Sequence, residues 1–140
     1  MEDAVRDRVN VAVSFERLFA LLRRLNPPHD LSLTAASTLR ILESDGPHRL
    51  SELAVKEGVT QPAMTQVVSR LERDALAARG TDPHDGRVVV VDITPAGRDL
   101  LQHRRAARAD RLFALLDTLA PADRAAILAA IPAFDRLTDR

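Results

Sequence analysis

The stretch from Leu50 to Thr94, LSELAVKEGVTQPAMTQVVSRLERDALAARGTDPHDGRVVVVDIT, decides the fold. Ser51 to Glu57 reads as a short helix. Gly58 follows, where a helix commonly ends on a left-handed residue that glycine adopts without steric cost. Thr60 can cap the next helix by accepting from an orphan backbone N–H, and Pro62 falls in the first turn, where its missing N–H is harmless. Two helices joined by a brief glycine-containing turn form the helix–turn–helix unit. Ala78–Thr81, the cluster Asp82-Pro83-His84-Asp85-Gly86 and the β-branched run Arg87–Thr94 then predict a two-stranded hairpin. Helix–turn–helix followed by hairpin is a winged helix.

Composition limits what surrounds this unit. The chain has 140 residues, which suits one domain, and 20 basic residues balance 20 acidic ones. Any basic footprint must therefore be local. Cysteine is absent, which excludes disulfides, thiolate metal sites and thiol redox sensing. Aromatic residues make up 3%, with no Trp or Tyr, so base stacking on single strands is not expected. The N-terminus lacks a signal-peptide pattern and no apolar run spans a bilayer, so a cytoplasmic protein without a membrane segment is expected.

Working outward, Asp3–Leu25 is helical by its apolar steps at Phe15, Leu18, Phe19, Leu22 and Leu25, with Val5, Val9 and Val13 upstream. Asn26-Pro27-Pro28 stops it. Leu31–Glu43 forms the next helix, capped by Ser32 or Thr34, with Leu39, Ile41 and Leu42 on its apolar side. His48-Arg49-Leu50 can add a short strand to the wing. Thr94 reads as the cap of a long helix beginning at Pro95 and carrying Leu112, Phe113 and Leu116. A last helix holds Ile127, Leu128, Ile131, Phe134 and Leu137, interrupted near Pro132. Arg104, Arg105, Arg108 and Arg111 read as a solvated or internally paired face.

Within the second helix of the helix–turn–helix, Met64, Val67, Val68 and Leu71 recur at i, i+3, i+4 and i+7 and must face the core. The opposite face carries Gln61, Ala63, Thr65, Gln66, Ser69, Arg70 and Arg73. Gln can read adenine, Ser and Thr several base edges, Arg guanine or phosphate, and the apolar Pro62 and Ala63 a thymine methyl. The first acidic residue of the helix is Glu72, so its entry half repels no phosphate. Asp82, His84 and Asp85 could be read as metal ligands, but Asp-Pro and Asp-Gly are ordinary turn formers. No catalytic triad, phosphate loop or Rossmann fingerprint occurs. Neither enzyme, metal nor cofactor is expected.

These residues resemble the multiple-antibiotic-resistance regulator (MarR) family. The resemblance rests on Leu53-Ala54, Val59-Thr60-Gln61-Pro62-Ala63, Arg70-Leu71-Glu72-Arg73, Arg79, Asp82-Pro83, Asp85-Gly86-Arg87 and Ile93-Thr94-Pro95-Ala96-Gly97-Arg98. It implies a mainly α fold with a small β-hairpin wing. Residues 30–94 would form the DNA-binding winged helix, and residues 1–29 and 95–140 the dimerisation helices of one domain, 1–140. It further implies a cytoplasmic homodimeric regulator, most simply a repressor, on a pseudo-palindromic double-stranded operator, released by a small, often aromatic or phenolic, effector. The DNA-binding residues would be Thr60, Gln61, Pro62, Ala63, Thr65, Gln66, Ser69, Arg70, Arg73, Asp85 and Arg87. Arg87 would enter the minor groove, oriented by a charge-assisted hydrogen bond that it donates to Asp85. Val5, Val9, Phe15, Leu112, Leu116, Ile127, Ile131 and Phe134 would form the dimer interface. The rival reading is a winged helix used as a protein-interaction module, which the neutral charge permits. One departure stands out: Ala75 stands where the family usually has Gly, at a place where positive φ would cost an alanine more.

Overall fold

The computed structural model describes residues 2–26 and 31–139. The expected helix stop at Pro27–Pro28 and the expected boundary between residues 29 and 30 lie outside them. The elements in order are α1 (Glu2–Arg24), α2 (Leu33–Asp45), α3 (Leu50–Glu57), α4 (Gln61–Arg73), β1 (Ala77–Thr81), β2 (Val89–Ile93), α5 (Pro95–Leu116) and α6 (Pro121–Thr138). They divide into two compact units, Met1–Asn26 with Ala106–Arg140, and Pro27–Arg105. The division falls inside α5. No helix among the described residues is long and apolar enough to cross a membrane.

The Pro27–Arg105 unit is built on one apolar cluster. Leu39 and Leu42 of α2, Leu53 of α3, and Met64, Val68 and Leu71 of α4 are all fully buried in it. The predicted three- and four-residue spacing thus lands on the core side of each helix. Caps define the helix ends. Ser32 accepts from the Ala35 N–H at 3.1 Å and Thr60 from the Ala63 N–H at 3.3 Å. Gly58 closes α3 at φ 64°, the left-handed C-cap expected of it. β1 and β2 pair antiparallel, Ala77 opposite Ile93 through Thr81 opposite Val89. His48 adds the expected bridge to Val91.

Two expected boundaries are corrected. The second strand starts at Val89 and not at Arg87. Asp85 closes a turn first, its carbonyl accepting from the Val88 N–H at 3.0 Å, which leaves Arg87 in the loop. The last helix is not interrupted at Pro132 but runs unbroken through it. No residue of α6 is buried, so water can reach the Leu128 carbonyl that Pro132 cannot satisfy.

The other unit differs in kind. Phe15 of α1 meets Phe134 of α6 edge-to-face with ring centroids 6.2 Å apart. Arg108 donates to the Asn26 side chain at 2.7 Å, and Arg111 to the Leu25 carbonyl at 3.0 Å. These two arginines of α5 tie down the end of α1, in line with the expected internal pairing. Yet Val5, Val9, Phe15, Ile127, Ile131 and Phe134 all stay exposed.

The pairs Lys56–Asp45, Arg79–Glu72 and Arg105–Glu43 lie at the partly exposed edge of the Pro27–Arg105 unit. The Arg105 guanidinium hydrogen-bonds the Glu43 carboxylate and holds it below its ordinary pKa. A carboxyl lowered by folding stabilises at neutral pH, and that stabilisation is lost as pH falls through the lowered value. Glu43→Gln should therefore reduce stability at pH 7 by less than about 1 kcal/mol, the range of a solvent-screened pair. The deficit should vanish only in acid, once pH has fallen through that lowered value and wild-type Glu43 is itself protonated. Urea unfolding of both proteins at neutral and acid pH checks this; a deficit that persists in acid would mean that Glu43 acts through packing.

Candidate nucleic-acid interface

The exposed face of α4 comprises Gln61, Pro62, Ala63, Thr65, Gln66, Ser69, Arg70 and Arg73. All the residues expected to read DNA from this helix are brought to one surface, backed by Met64, Val68 and Leu71 at 0% exposure. The capping residue Thr60 is exposed beside them. No acidic residue lies in the first turn, so the positive helix end faces outward unopposed. Thr65 donates its hydroxyl proton to the Gln61 carbonyl at 2.9 Å and remains exposed. Arg73 lies 3.8 Å from Asp74.

Four hydrogen bonds organise the wing loop. Asp82 accepts the His84 N–H on its side chain at 2.8 Å and gives its own N–H to the Val88 carbonyl at 2.9 Å. Asp85 accepts the Arg87 N–H at 3.0 Å and the Val88 N–H on its carbonyl. Asp85 therefore braces the backbone of Arg87 and not, as expected, its guanidinium. The guanidinium has no ion pair among the described residues, and the side chain is exposed. A backbone brace suits a short Asp-Gly turn, where the carboxylate reaches the N–H two residues on before it can reach the end of a long side chain.

Two features escaped sequence reasoning. Glu72 of α4 pairs with Arg79 of β1 at 3.4 Å and joins the helix to the wing. Thr94 bonds the Ala75 carbonyl at 2.6 Å across the turn after α4. A local signal exists for neither, because both partners come from different elements. Of the expected interface residues, Leu116 differs: at 6% exposure its side chain is already covered within its own chain, and Leu112 is half-buried.

A buried stripe behind an exposed polar helix, preceded by a capped turn and followed by a braced hairpin, defines a winged helix–turn–helix DNA-binding protein. Residues 31–89 match the model of the MarR family. A Mycobacterium bovis protein named HTH-type transcriptional regulator Mb0904 is 33% identical over 115 residues, 82% of this chain and 80% of the relative. A MarR family protein from Bacillus stearothermophilus shares the fold with a TM-score of 0.76, covering 96% of this chain and 97% of its own at 19% identity. Bordetella bronchiseptica BpsR, whose DNA binding is regulated by 6-hydroxynicotinic acid, is 25% identical with a TM-score of 0.59 and 89% of each chain covered. The chain belongs to the MarR family of DNA-binding transcription regulators.

Proposed function

We propose that this protein is a homodimeric cytoplasmic repressor of a pseudo-palindromic operator. Each subunit lays α4 in a major groove and sends Arg87 into the flanking minor groove. The observation that carries the reading is the division of α4 into a fully buried stripe and an exposed face of glutamines, hydroxyls and arginines. Such a face holds the donors and acceptors that base edges require. Arg87, exposed and without an ion pair among the described residues, suits a narrow, strongly negative A·T-rich minor groove. Two-fold proteins read two-fold sites, with half-sites about 10 bp apart. The regulation of BpsR by 6-hydroxynicotinic acid supports a small aromatic effector here as well.

Sequencing the genomic fragments that the protein retains supplies its operator. On that duplex, Gln66→Ala should weaken binding by about 1–3 kcal/mol and relax preference at particular positions. Arg87→Ala should leave folding unchanged, reduce the slope of log affinity against log salt by about one per subunit contact, and erase the preference for A·T flanks. Retention of fragments with no shared sequence would sink the operator reading. Wild-type affinity and slope in Arg87→Ala would remove the wing from it and leave α4.

A further inference from the structure

Thr94 sits where three elements meet. Its hydroxyl donates to the Ala75 carbonyl at 2.6 Å, in the turn that follows α4, and accepts from the Gly97 N–H at 3.1 Å, in the first turn of α5. Its own N–H, at the end of β2, donates to the Leu76 carbonyl at 3.1 Å. The hydroxyl proton and one lone pair are thus assigned to two different elements. Gly97 allows the approach, because a Cβ there would overlap the Leu76 carbonyl oxygen.

Ala75 is what makes this junction unusual. Its φ is 59°, and among the described residues no other non-glycine residue has positive φ. An alanine is held in that conformation against a steric cost that glycine would not bear. Backbone bonds at the helix end oppose the cost: Asp74 N–H to the Arg70 carbonyl at 3.0 Å, Ala75 N–H to Glu72 at 2.9 Å and Leu76 N–H to Leu71 at 2.8 Å. All three end on carbonyls in the last turn of α4, within five residues of their donors. The bonds from Thr94 are different, since they hold the same turn from 19 residues further along the chain.

We infer that Thr94 is a positioning residue for DNA recognition. It grips the left-handed Ala75 turn and so fixes the end of α4 against β2 and the start of α5. The inference rests on α4 being the DNA-reading helix. Capping and gripping use different parts of the hydroxyl. Capping α5 needs only an acceptor, which Ser, Thr and Asp all supply. Gripping Ala75 needs the proton, which an ionised Asp lacks.

The test compares Thr94→Ser, Thr94→Asp and the Thr94→Asp/Ala75→Gly pair in the full chain. The probe is the tightest duplex that the wild type selects from a random-sequence library, measured beside a scrambled duplex, with thermal unfolding in parallel. Thr94→Ser should bind the selected duplex within about twofold of wild type. Thr94→Asp should fold cooperatively and lose about tenfold in its preference for the selected over the scrambled duplex, the scale of one neutral hydrogen bond. The added charge weakens both duplexes alike and cancels in the ratio. Adding Ala75→Gly keeps the left-handed turn but removes the steric cost that needed opposing, and most of the preference should return. An unchanged ratio in Thr94→Asp would reduce Thr94 to a helix cap and overturn the inference. No return on adding Ala75→Gly would overturn the link to the strained turn. Selection of no preferred duplex by the wild type would overturn the operator reading, and this inference with it.

Discussion

Gly97→Ala should destabilise the fold by about 3 kcal/mol, near the upper end of overpacking costs, and lower the unfolding midpoint by about 10 °C. The sign is the informative part. In an ordinary helix, replacing glycine by alanine stabilises by about 1 kcal/mol. Here the new Cβ would overlap the Leu76 carbonyl oxygen, lie 3.2 Å from the Leu76 carbonyl carbon and 2.7 Å from Ile93 Cγ1. Two of these neighbours are backbone and cannot swing aside, and Ile93 sits 6% exposed within the apolar cluster. Relief would have to come from moving α5 away from the turn after α4, which also breaks the hydrogen bonds of Thr94. Gly80 and Gly86 have nothing within 4 Å of the same added atom, so their alanine variants serve as controls and should stay near wild type. Circular dichroism melts of the three proteins decide the matter. Equal midpoints for Gly97→Ala and the controls would mean that α5 is not packed against Leu76 as described.

Deleting Ala122–Arg140 should convert the protein from a dimer to a monomer and cut operator affinity at least a hundredfold. α6 contains no buried residue, yet Ile127, Ile131 and Leu137 are 40%, 47% and 57% exposed. An amphipathic terminal helix of this kind is rarely stable without a partner for its apolar side. α1 carries the same signature in Val5 at 56% and Val9 at 55%. Two half-sites read by a linked pair gain about 10²–10⁴ in affinity over either alone, and the monomer forfeits that gain. Sedimentation velocity at micromolar concentration separates the species. A truncated chain that still sedimented as a dimer would move the interface to α1 or elsewhere. A milder version, Ile131→Ala with Phe134→Ala, should weaken association and leave the Pro27–Arg105 unit folded.

Legibility followed the range of the interactions. The helix–turn–helix could be read because each of its signals acts within four residues: Gly58 at a left-handed C-cap, Thr60 on the Ala63 N–H, and Met64, Val68 and Leu71 on one face. The bridge from His48 to Val91 was readable because a short segment beside a wing has few other partners. The wing boundary was misread since β-branched residues from Val88 onward mask the turn that Asp85 closes first. Pro132 reads as a break in any helix, but the exposure that lets water meet its orphan carbonyl belongs to tertiary structure. The positive φ of Ala75 has no signature in the residue itself; only the resemblance, with its usual glycine, marked the position. Leu116 illustrates the remaining gap. Apolar helical spacing cannot tell a residue covered by its own chain from one left for a second copy.

The bridge between Glu72 and Arg79, with Arg73 drawn towards Asp74, bears on how the regulator is distributed in a cell. Loose association with arbitrary chromosomal sequence scales with the number of phosphates a protein neutralises. A chain of zero net charge, with Arg73 on its reading surface and Arg79 beside it each already near a carboxylate, offers fewer cations for that purpose than its arginine count suggests. On the proposed reading, little of the protein is sequestered on irrelevant DNA, and a larger share diffuses free. Occupancy of the operator then tracks copy number closely, so a modest change in expression is enough to change the output of the promoter.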